Sequence, residues 1–277
     1  MKTTQNQYKT CSQDSANYSD GYRLFLERTN FRHRIEEQVR QYIQSHPKNF
    51  NIRKLRILDI GCGNGQMTKQ YANAVKEIYP SVELSLTLIE PAQEALKEAV
   101  SVLKDYKIES SYSTPIEKFL ENSAAEFDWI IASYIFYHVD TQVIPKLLKM
   151  LSQTGLLMIA MGAPDHPLKK DEPLKSLAKH GDSSSIHSAL TKLEEQGLAA
   201  FHVNSVITDL NLKGFWEENG VLTHDGVLYF SFTYNCDIEH ISEEMRSALT
   251  ALLLKIEEQR NFIVHPKHHL FWVNNRK

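Results

Sequence analysis

Short apolar runs alternate with amphipathic segments through the first 160 residues of the chain. The runs at 56–60, 82–89, 127–133 and 156–161 are rich in aliphatic residues, which is typical of strands buried on both faces of a parallel sheet. A weaker run of β-like residues at 108–115 predicts one more strand, and the intervening segments have helical periodicity. This alternation predicts an α/β fold, a doubly wound domain with right-handed crossovers.

Two amphipathic helices are predicted before the first strand. Aromatic residues recur every three to five positions from Tyr18 to Phe31, which predicts a helix with one aromatic face. That face either packs on the domain or forms a lid over a ligand pocket. The second helix covers about 34–44 and ends before Pro47.

The regular alternation is lost beyond residue 162. The elements expected there are a surface loop with a short helix over 163–182, a helix over 184–196, a strand over 201–210, mainly helix over 226–258 and a final strand over 268–273. The final strand would complete a mostly parallel, seven-stranded sheet.

A glycine-rich turn follows the first predicted strand. The sequence DIGCGNG places Gly61, Gly63 and Gly65 where the strand turns into a helix, and the missing Cβ atoms let a ligand approach the backbone. The spacing GxGxG differs from the GxGxxG of dinucleotide sites, and Asp59 precedes it. A carboxylate there would repel a pyrophosphate but can accept hydrogen bonds from an ammonium group, as at the methionine end of S-adenosyl-L-methionine. A glycine-rich turn without a ligand is the alternative.

Polar residues also stand at the predicted ends of the neighbouring strands. Glu90 ends the second strand, where it can accept hydrogen bonds from ribose hydroxyls, cap the following helix, or do both. Ser113 and Thr114 end the third strand and are placed to meet an adenine edge. Because ligands of open parallel sheets bind outside the carboxyl ends of the strands, we expect Glu90 and Asp59 near one crevice.

Three aromatic residues and a histidine follow the fourth strand, and their position places them in or beside the same crevice. His138 is the candidate base by position and intrinsic pKa, although it can equally serve as a structural hydrogen-bonding group at the strand end. Aromatic rings can also face a sulphonium or a cationic acceptor through cation–π contacts. The candidates for such contacts are Tyr18, Tyr22, Phe25, Tyr134 and Tyr137.

DIGCGNG after an apolar strand resembles the first motif of the class I S-adenosylmethionine-dependent methyltransferases, and five successive elements over 54–162 fit that class in order. NYSDGYRLFLERTNFR, LIEPAQEAL, FDWIIASYIFYHVDTQVIPKLLKMLS and DGVLYFSFTYNCDIEHISEEMRSAL more closely resemble segments of the histamine N-methyltransferase family. The resemblance implies a methyltransferase domain of residues 1–203 and 263–277 with an N-terminal helical lid. It also implies a small helical and β substrate-binding lobe over 204–262.

The family's pattern is matched at the predicted cofactor-binding residues. It is not matched at the family's substrate-binding residues. The family's amine-binding acid aligns with Phe31, its strand-four glutamine with Tyr134, and its C-terminal asparagine near Lys267 or His268. Histamine itself is therefore not the predicted acceptor. The predicted cofactor-binding residues are Asp59, Gly61, Cys62, Gly63, Gly65, Glu90, Ser113, Thr114 and Ser133. The predicted catalytic residues are Tyr134 and His138, and the predicted substrate contacts are Tyr18, Tyr22, Phe25, Phe31 and Tyr137.

These residues predict methyl transfer to a small-molecule acceptor, with an amine nitrogen as the first hypothesis. An O-methyltransferase for a small carboxylate or phenol is the second. A cofactor-binding protein without turnover is the third, because the sequence shows no obligatory catalytic acid or base.

Composition narrows the possible partners. A net charge of -3 in 277 residues gives no electrostatic reason to expect nucleic acid. The absence of a run of about 18 apolar residues and the polar N-terminus predict neither a membrane-spanning helix nor a signal peptide. Cys11, Cys62 and Cys236 are spread too widely for a disulfide framework or a metal site. We therefore expect a cytoplasmic, monomeric enzyme without a metal.

Overall fold

The structure, a computed structural model, describes residues 16–169, 172–177 and 183–275. The described residues form strands and helices whose bounds are as follows. The strands are β1 (Lys54–Ile60), β2 (Glu83–Ile89), β3 (Lys107–Tyr112), β4 (Phe127–Ser133), β5 (Leu151–Gly162), β6 (Ala199–Ile207), β7 (Leu210–Asn211), β8 (Ile263–Val264) and β9 (Lys267–Asn275). The helices are α1 (Ala16–Arg28), α2 (Phe31–Ser45), α3 (Pro47–Phe50), α4 (Gln66–Ile78), α5 (Gln93–Val102), α6 (Ile116–Asn122), α7 (Ile144–Lys149), α8 (Glu172–Leu177), α9 (Ser183–Glu195), α10 (His224–Tyr234) and α11 (Glu243–Glu258).

Seven strands form one sheet in the order β3-β2-β1-β4-β5-β9-β6. The pairs β1 with β2, β1 with β4, β2 with β3 and β4 with β5 are parallel, and β9 runs antiparallel to β5. The predicted seven-stranded, mostly parallel α/β fold is confirmed. The strand order reverses between β1 and β4, so the connections leaving these two strands diverge and open a crevice at their carboxyl ends.

Helices cover both faces of this sheet. Ile130 of β4 belongs to a buried cluster with residues of α6, α7 and α9. Its neighbour Trp129 instead packs against Phe50 of α3 and Tyr71 of α4. Successive side chains of a strand point to opposite faces, so β4 is buried on both sides. Burial on both faces explains why the central strands are nearly continuous apolar runs in the sequence.

The chain divides into two compact units. One unit comprises the described residues of 32–164, 181–206 and 267–277 and contains the seven-stranded sheet. The other comprises the described residues of 1–31, 165–180 and 207–266. From the sequence we expect 1–31 and 165–180 to belong to the sheet domain. In the structure their described parts group with 207–266 instead. A substrate-binding role for this second unit stays a prediction.

The second unit has its own apolar core, which explains why α1 groups with it. Phe215, Tyr229 and Phe230 are buried in that core together with Leu24 of α1. A Cβ on Gly21 of α1 would lie only 2.5 Å from the Leu228 carbonyl oxygen of α10, so the glycine permits a close approach of these two helices. None of the described helices combines the length and apolar character needed to cross a membrane.

Candidate functional site

The glycine turn after β1 uses three left-handed residues for two different purposes. Gly61, Gly63 and Gly65 have φ values of 67°, 52° and 76°, a region that favours glycine. A Cβ on Gly61 would lie 2.5 Å from Cγ2 of Ile135, and one on Gly65 would lie 2.9 Å from Cα of Ala99. A Cβ on Gly63 would meet no described atom within 4 Å. Packing therefore requires two of the glycines, while the backbone at Gly63 faces open space where a ligand can approach.

Glu90, directly after β2, joins this turn to the start of α5. The Gly63 amide donates to Oε2 of Glu90 at 3.0 Å, and the Ala92 amide donates to Oε1 at 3.0 Å. The carboxylate therefore serves the start of the helix, the alternative role considered for it. Because an ionised carboxylate has about four lone-pair positions, each oxygen can accept a further bond from a ribose hydroxyl.

Cys62 lies between Gly61 and Gly63, and its backbone amide helps to hold the glycine turn in place. The amides of Gly61 and Cys62 donate to the carbonyl of Ile89 at 2.7 and 3.1 Å, which fixes the turn against β2. Burial raises the pKa of the Cys62 thiol, and the charges of Asp59 and Glu90 raise it further. The thiol therefore stays protonated and is no nucleophile at neutral pH.

Asp59 is a buried carboxylate beneath the turn. It is 4% exposed, and Oδ2 accepts a hydrogen bond from the Thr68 hydroxyl at 2.5 Å. Within the described ranges no Lys, Arg or His forms an ion pair with it. Burial raises the pKa of Asp59 to about 7, a change that the Thr68 bond opposes and the charge of Glu90 reinforces. A ligand with an ammonium group would supply the missing positive charge.

Two buried hydroxyls lie at or just past the carboxyl ends of β4 and β3. Ser133 Oγ, at the end of β4, and Thr114 Oγ1, two residues past β3, are buried and have no hydrogen-bond partner among the described residues. Ser113 differs, because its hydroxyl donates to the Pro91 carbonyl at 3.1 Å. Buried hydroxyls without partners are uncommon and call for an explanation, and a polar ligand bound in the crevice is one.

Tyr134 follows β4 in a left-handed conformation, with φ of 61°. This conformation is costly for a bulky residue and occurs mainly where the surroundings enforce it. Its amide donates to the Ala160 carbonyl at 2.8 Å, and its ring stacks on Tyr137 with centroids 6.3 Å apart. The Tyr137 hydroxyl accepts a bond from the Gly162 amide at 3.2 Å. Both tyrosines therefore lie at the carboxyl edge of the sheet, and their roles toward a substrate stay a prediction.

His138, the base proposed from the sequence, lies in an exposed turn, where its amide donates to the Ile135 carbonyl at 2.9 Å. Its role as a base stays a prediction. His268 was not among the predicted catalytic residues, yet its Nδ1 lies 2.9 Å from the Tyr134 hydroxyl. Burial, with a further contribution from His269, lowers the pKa of His268 to about 4. The pairing depends on β9 lying beside β5, with His268 opposite Gly162.

The remaining aromatic residues predicted to contact the substrate belong to the second unit. The side chain of Tyr18 lies outside the described part of the chain. Tyr22 and Phe25 pack on Phe232 with ring centroids 5.6 and 6.0 Å apart, and Phe25 also packs on Phe31. Their role as substrate contacts stays a prediction.

The crevice residues of the sheet unit fit S-adenosylmethionine. The open space at Gly63 admits a ligand to the backbone, Asp59 matches an ammonium, and Glu90 matches ribose hydroxyls. The free hydroxyls of Thr114 and Ser133 match polar edges of the ligand. In the described ranges, no three His, Cys, Asp or Glu side chains are arranged to hold a metal ion.

Comparison with known proteins places the fold in context. A family model described as a methyltransferase domain matches residues 31–220. An uncharacterized protein of Haemophilus influenzae is 27% identical over 122 residues, which is 43% of this chain and 45% of that protein. The alignment therefore covers less than half of this relative's length.

Two solved structures share the fold over most of the chain. One is the plantazolicin methyltransferase BamL in complex with a triazolic desmethylPZN analog and SAH, at 16% identity and a TM-score of 0.54 over 94% of this chain and 90% of that one. The other is the YcgJ protein of Bacillus subtilis, at 15% identity and a TM-score of 0.51 over 84% of this chain and 97% of that one. At these identities the likeness establishes the fold alone.

Proposed function

The chain belongs to the methyltransferase-domain family, and we propose that the acceptor of its S-adenosylmethionine-dependent methyl transfer is the nitrogen of a small amine. The assignment of the methyl donor rests on one observation, the group formed by Asp59, the glycine turn and Glu90 at the switch point of the sheet. When bound there, S-adenosylmethionine supplies a methyl group on a positively charged sulphur. The SAH complex of BamL, a protein with the same fold, supports this assignment.

The residues of the crevice have defined tasks toward this donor. Asp59 pairs with the ammonium of the methionine part, and Glu90 holds the ribose while it keeps Gly63 in place. Thr114, after β3, offers a free hydroxyl to the adenine side, and Ser133, at the end of β4 on the other side of β1, offers a second one to the donor. These contacts orient the donor and exclude water. Orientation is the main requirement of an in-line displacement, because the leaving thioether needs no proton.

The acceptor side is formed in part by the turn after β4. The stacked rings of Tyr134 and Tyr137 present aromatic faces, which favour a cationic or partly charged group. An amine must be neutral when it attacks, and a pocket of low polarity lowers its pKa toward the neutral form. The sequence resemblance to histamine N-methyltransferases supports nitrogen over oxygen. The departures at Phe31 and Tyr134 argue against histamine itself.

Further proposals concern the context in which the enzyme works. We propose that the lobe of residues 204–262 contributes to substrate binding, and that the protein is a cytoplasmic monomer. The net charge of -3 supports a small-molecule acceptor over nucleic acid. Light scattering on the purified protein would test the monomer, and a stable dimer would contradict it.

A paired acceptor library tests the proposed reaction. Small amines and their isosteric alcohols, phenols and carboxylates are incubated with enzyme and S-adenosylmethionine, and both SAH and the mass of the methylated product are measured. We expect N-methylated products. Methylation of carboxylates or phenols alone would favour the O-methyltransferase alternative. Binding of SAH without turnover of any acceptor would favour a non-catalytic binding protein.

A further inference from the structure

The pair formed by Tyr134 and His268 is not among the residues assigned above to the donor, and three features set it apart. Tyr134 occupies a left-handed backbone conformation at the crevice, its hydroxyl lies 2.9 Å from Nδ1 of His268, and His268 is 5% exposed. Strained residues that the surrounding structure enforces cluster at functional sites. The strain at Tyr134 and the buried histidine behind it therefore point to a specific orientation of the hydroxyl.

The charge state of His268 limits the forms this hydrogen bond can take. Burial, with a further contribution from His269, lowers the pKa of His268 to about 4, so the imidazole is neutral at physiological pH. A neutral imidazole has one nitrogen that donates and one that accepts. If Nδ1 accepts the hydrogen bond, the Tyr134 hydroxyl donates its only hydrogen to His268. The Tyr134 oxygen can then only accept hydrogen bonds from any other partner, through its lone pairs.

We propose that His268 is a positioning residue whose Nδ1 accepts a hydrogen bond from the Tyr134 hydroxyl. The Tyr134 oxygen is then oriented to accept a hydrogen bond from an N–H of the methyl acceptor. This inference rests on the proposed N-methyltransferase function and makes it more specific. The site then favours neutral primary and secondary amines over carboxylates and phenolates, which have no hydrogen to donate to Tyr134.

The reaction balances without a proton passing through His268. The amine donates one N–H to the Tyr134 oxygen, which directs its lone pair away from the tyrosine. That lone pair forms the new N–C bond while the electrons of the S–C bond return to sulphur. The nitrogen becomes an ammonium and loses its proton to water. His268 remains neutral throughout, and its task is to hold the direction of one hydrogen bond.

Two measurements test the inference, and the first needs no acceptor. Histidine ¹⁵N NMR of the SAH-bound protein at pH 7 reports which ring nitrogen carries the proton, and the His268→Asn variant identifies the signal of His268. We expect Nδ1 without a proton and Nε2 with one. A proton on Nδ1 would overturn the inference, because the tyrosine oxygen would then be the acceptor within the pair.

The second measurement uses the best amine from the library. Tyr134→Phe removes the accepting oxygen, and His268→Phe removes the group that holds it, so both should raise the amine KM about tenfold, the effect of one hydrogen bond. SAH binding should be unchanged. His268→Asn, which offers an oxygen near the Nδ1 position, should recover most of the loss. Tyr106→Phe and His187→Asn, on the surface of the same unit, are the controls.

The outcomes separate this inference from the proposed function. If the wild-type protein methylates an amine but Tyr134→Phe and His268→Phe leave the KM unchanged, the inference is wrong and the proposed function stands. If Nδ1 accepts as expected but only carboxylates are methylated, the proposed amine acceptor is wrong, and the selection of N–H groups by Tyr134 is wrong with it.

Discussion

The amide of Gly63 donates a hydrogen bond of 3.0 Å to the carboxylate of Glu90, and this bond connects the ends of two adjacent parallel strands. The same carboxylate accepts from Ala92 at the start of α5. One side chain thus shapes the glycine turn and begins a helix, and it still has lone pairs for a ligand. The proposed cofactor site and the local fold therefore depend on the same residue.

Replacement of Glu90 by glutamine should weaken SAH binding by about 1.5 to 3 kcal/mol, the range for hydrogen bonds to charged groups. The neutral amide offers only one accepting oxygen where the carboxylate offers two. The measurement is calorimetric titration with SAH, alongside Glu94→Gln, an exposed acid on α5, as the control. Equal dissociation constants for Glu90→Gln and the control would leave Glu90 with only its role at the helix start.

Asp59→Asn should change the pH dependence of stability. In the folded protein Asp59 keeps its proton up to about pH 7, whereas its ordinary pKa is 3.8. The folded state therefore binds more protons between these values, so the free energy of unfolding falls as pH rises through that window. Relative to Asp59→Asn, the wild-type protein should lose about 2 to 3 kcal/mol between pH 5 and 8. Thermal unfolding without ligand checks this, and parallel pH curves for the two proteins would contradict it.

The affinity for SAH should depend on pH through the same carboxylate. Pairing with the ligand's ammonium requires ionised Asp59, so binding below pH 7 must first release a proton. The dissociation constant should rise up to about tenfold per pH unit below pH 7 and become constant near pH 8. Titrations in buffers of different ionisation enthalpy should show proton release at pH 6. An equal affinity at pH 5.5 and 7.5 would show that Asp59 does not bind the ammonium.

Removal of the free buried hydroxyls should have opposite effects on stability and binding. Ser133→Ala and Thr114→Val each delete a buried hydroxyl without a partner among the described residues. Leaving such a group unsatisfied costs about 1 to 3 kcal/mol, so each variant should be more stable than the wild type without ligand. Each should also gain less thermal stability from SAH. A variant that loses stability without ligand would show that its hydroxyl has a structural role.

The positions of the proposed cofactor residues could be predicted because they follow from local patterns and one topological rule. Strands buried on both faces are apolar runs in the sequence, and parallel order brings Asp59 and Glu90 to one edge of the sheet. The pairing of Tyr134 with His268 could not be predicted, because it spans 134 residues and depends on the register of β9 against β5. The grouping of α1 with α10 could not be predicted either. The aromatic spacing of α1 indicates that one face of the helix is buried, but it does not indicate which element covers that face.

The most direct test of the cofactor site compares two glycines with similar backbone conformations. Gly63 and Gly197 have φ values of 52° and 71°, and a Cβ on either would meet no described atom within 4 Å. Arginine at either position should cost about 1 to 2 kcal/mol of stability, the cost of a left-handed conformation. Calorimetry with SAH should show binding to wild type and Gly197→Arg but none to Gly63→Arg. Equal binding of SAH to both variants, or binding of NADH in place of SAH by the wild type, would contradict the proposed site.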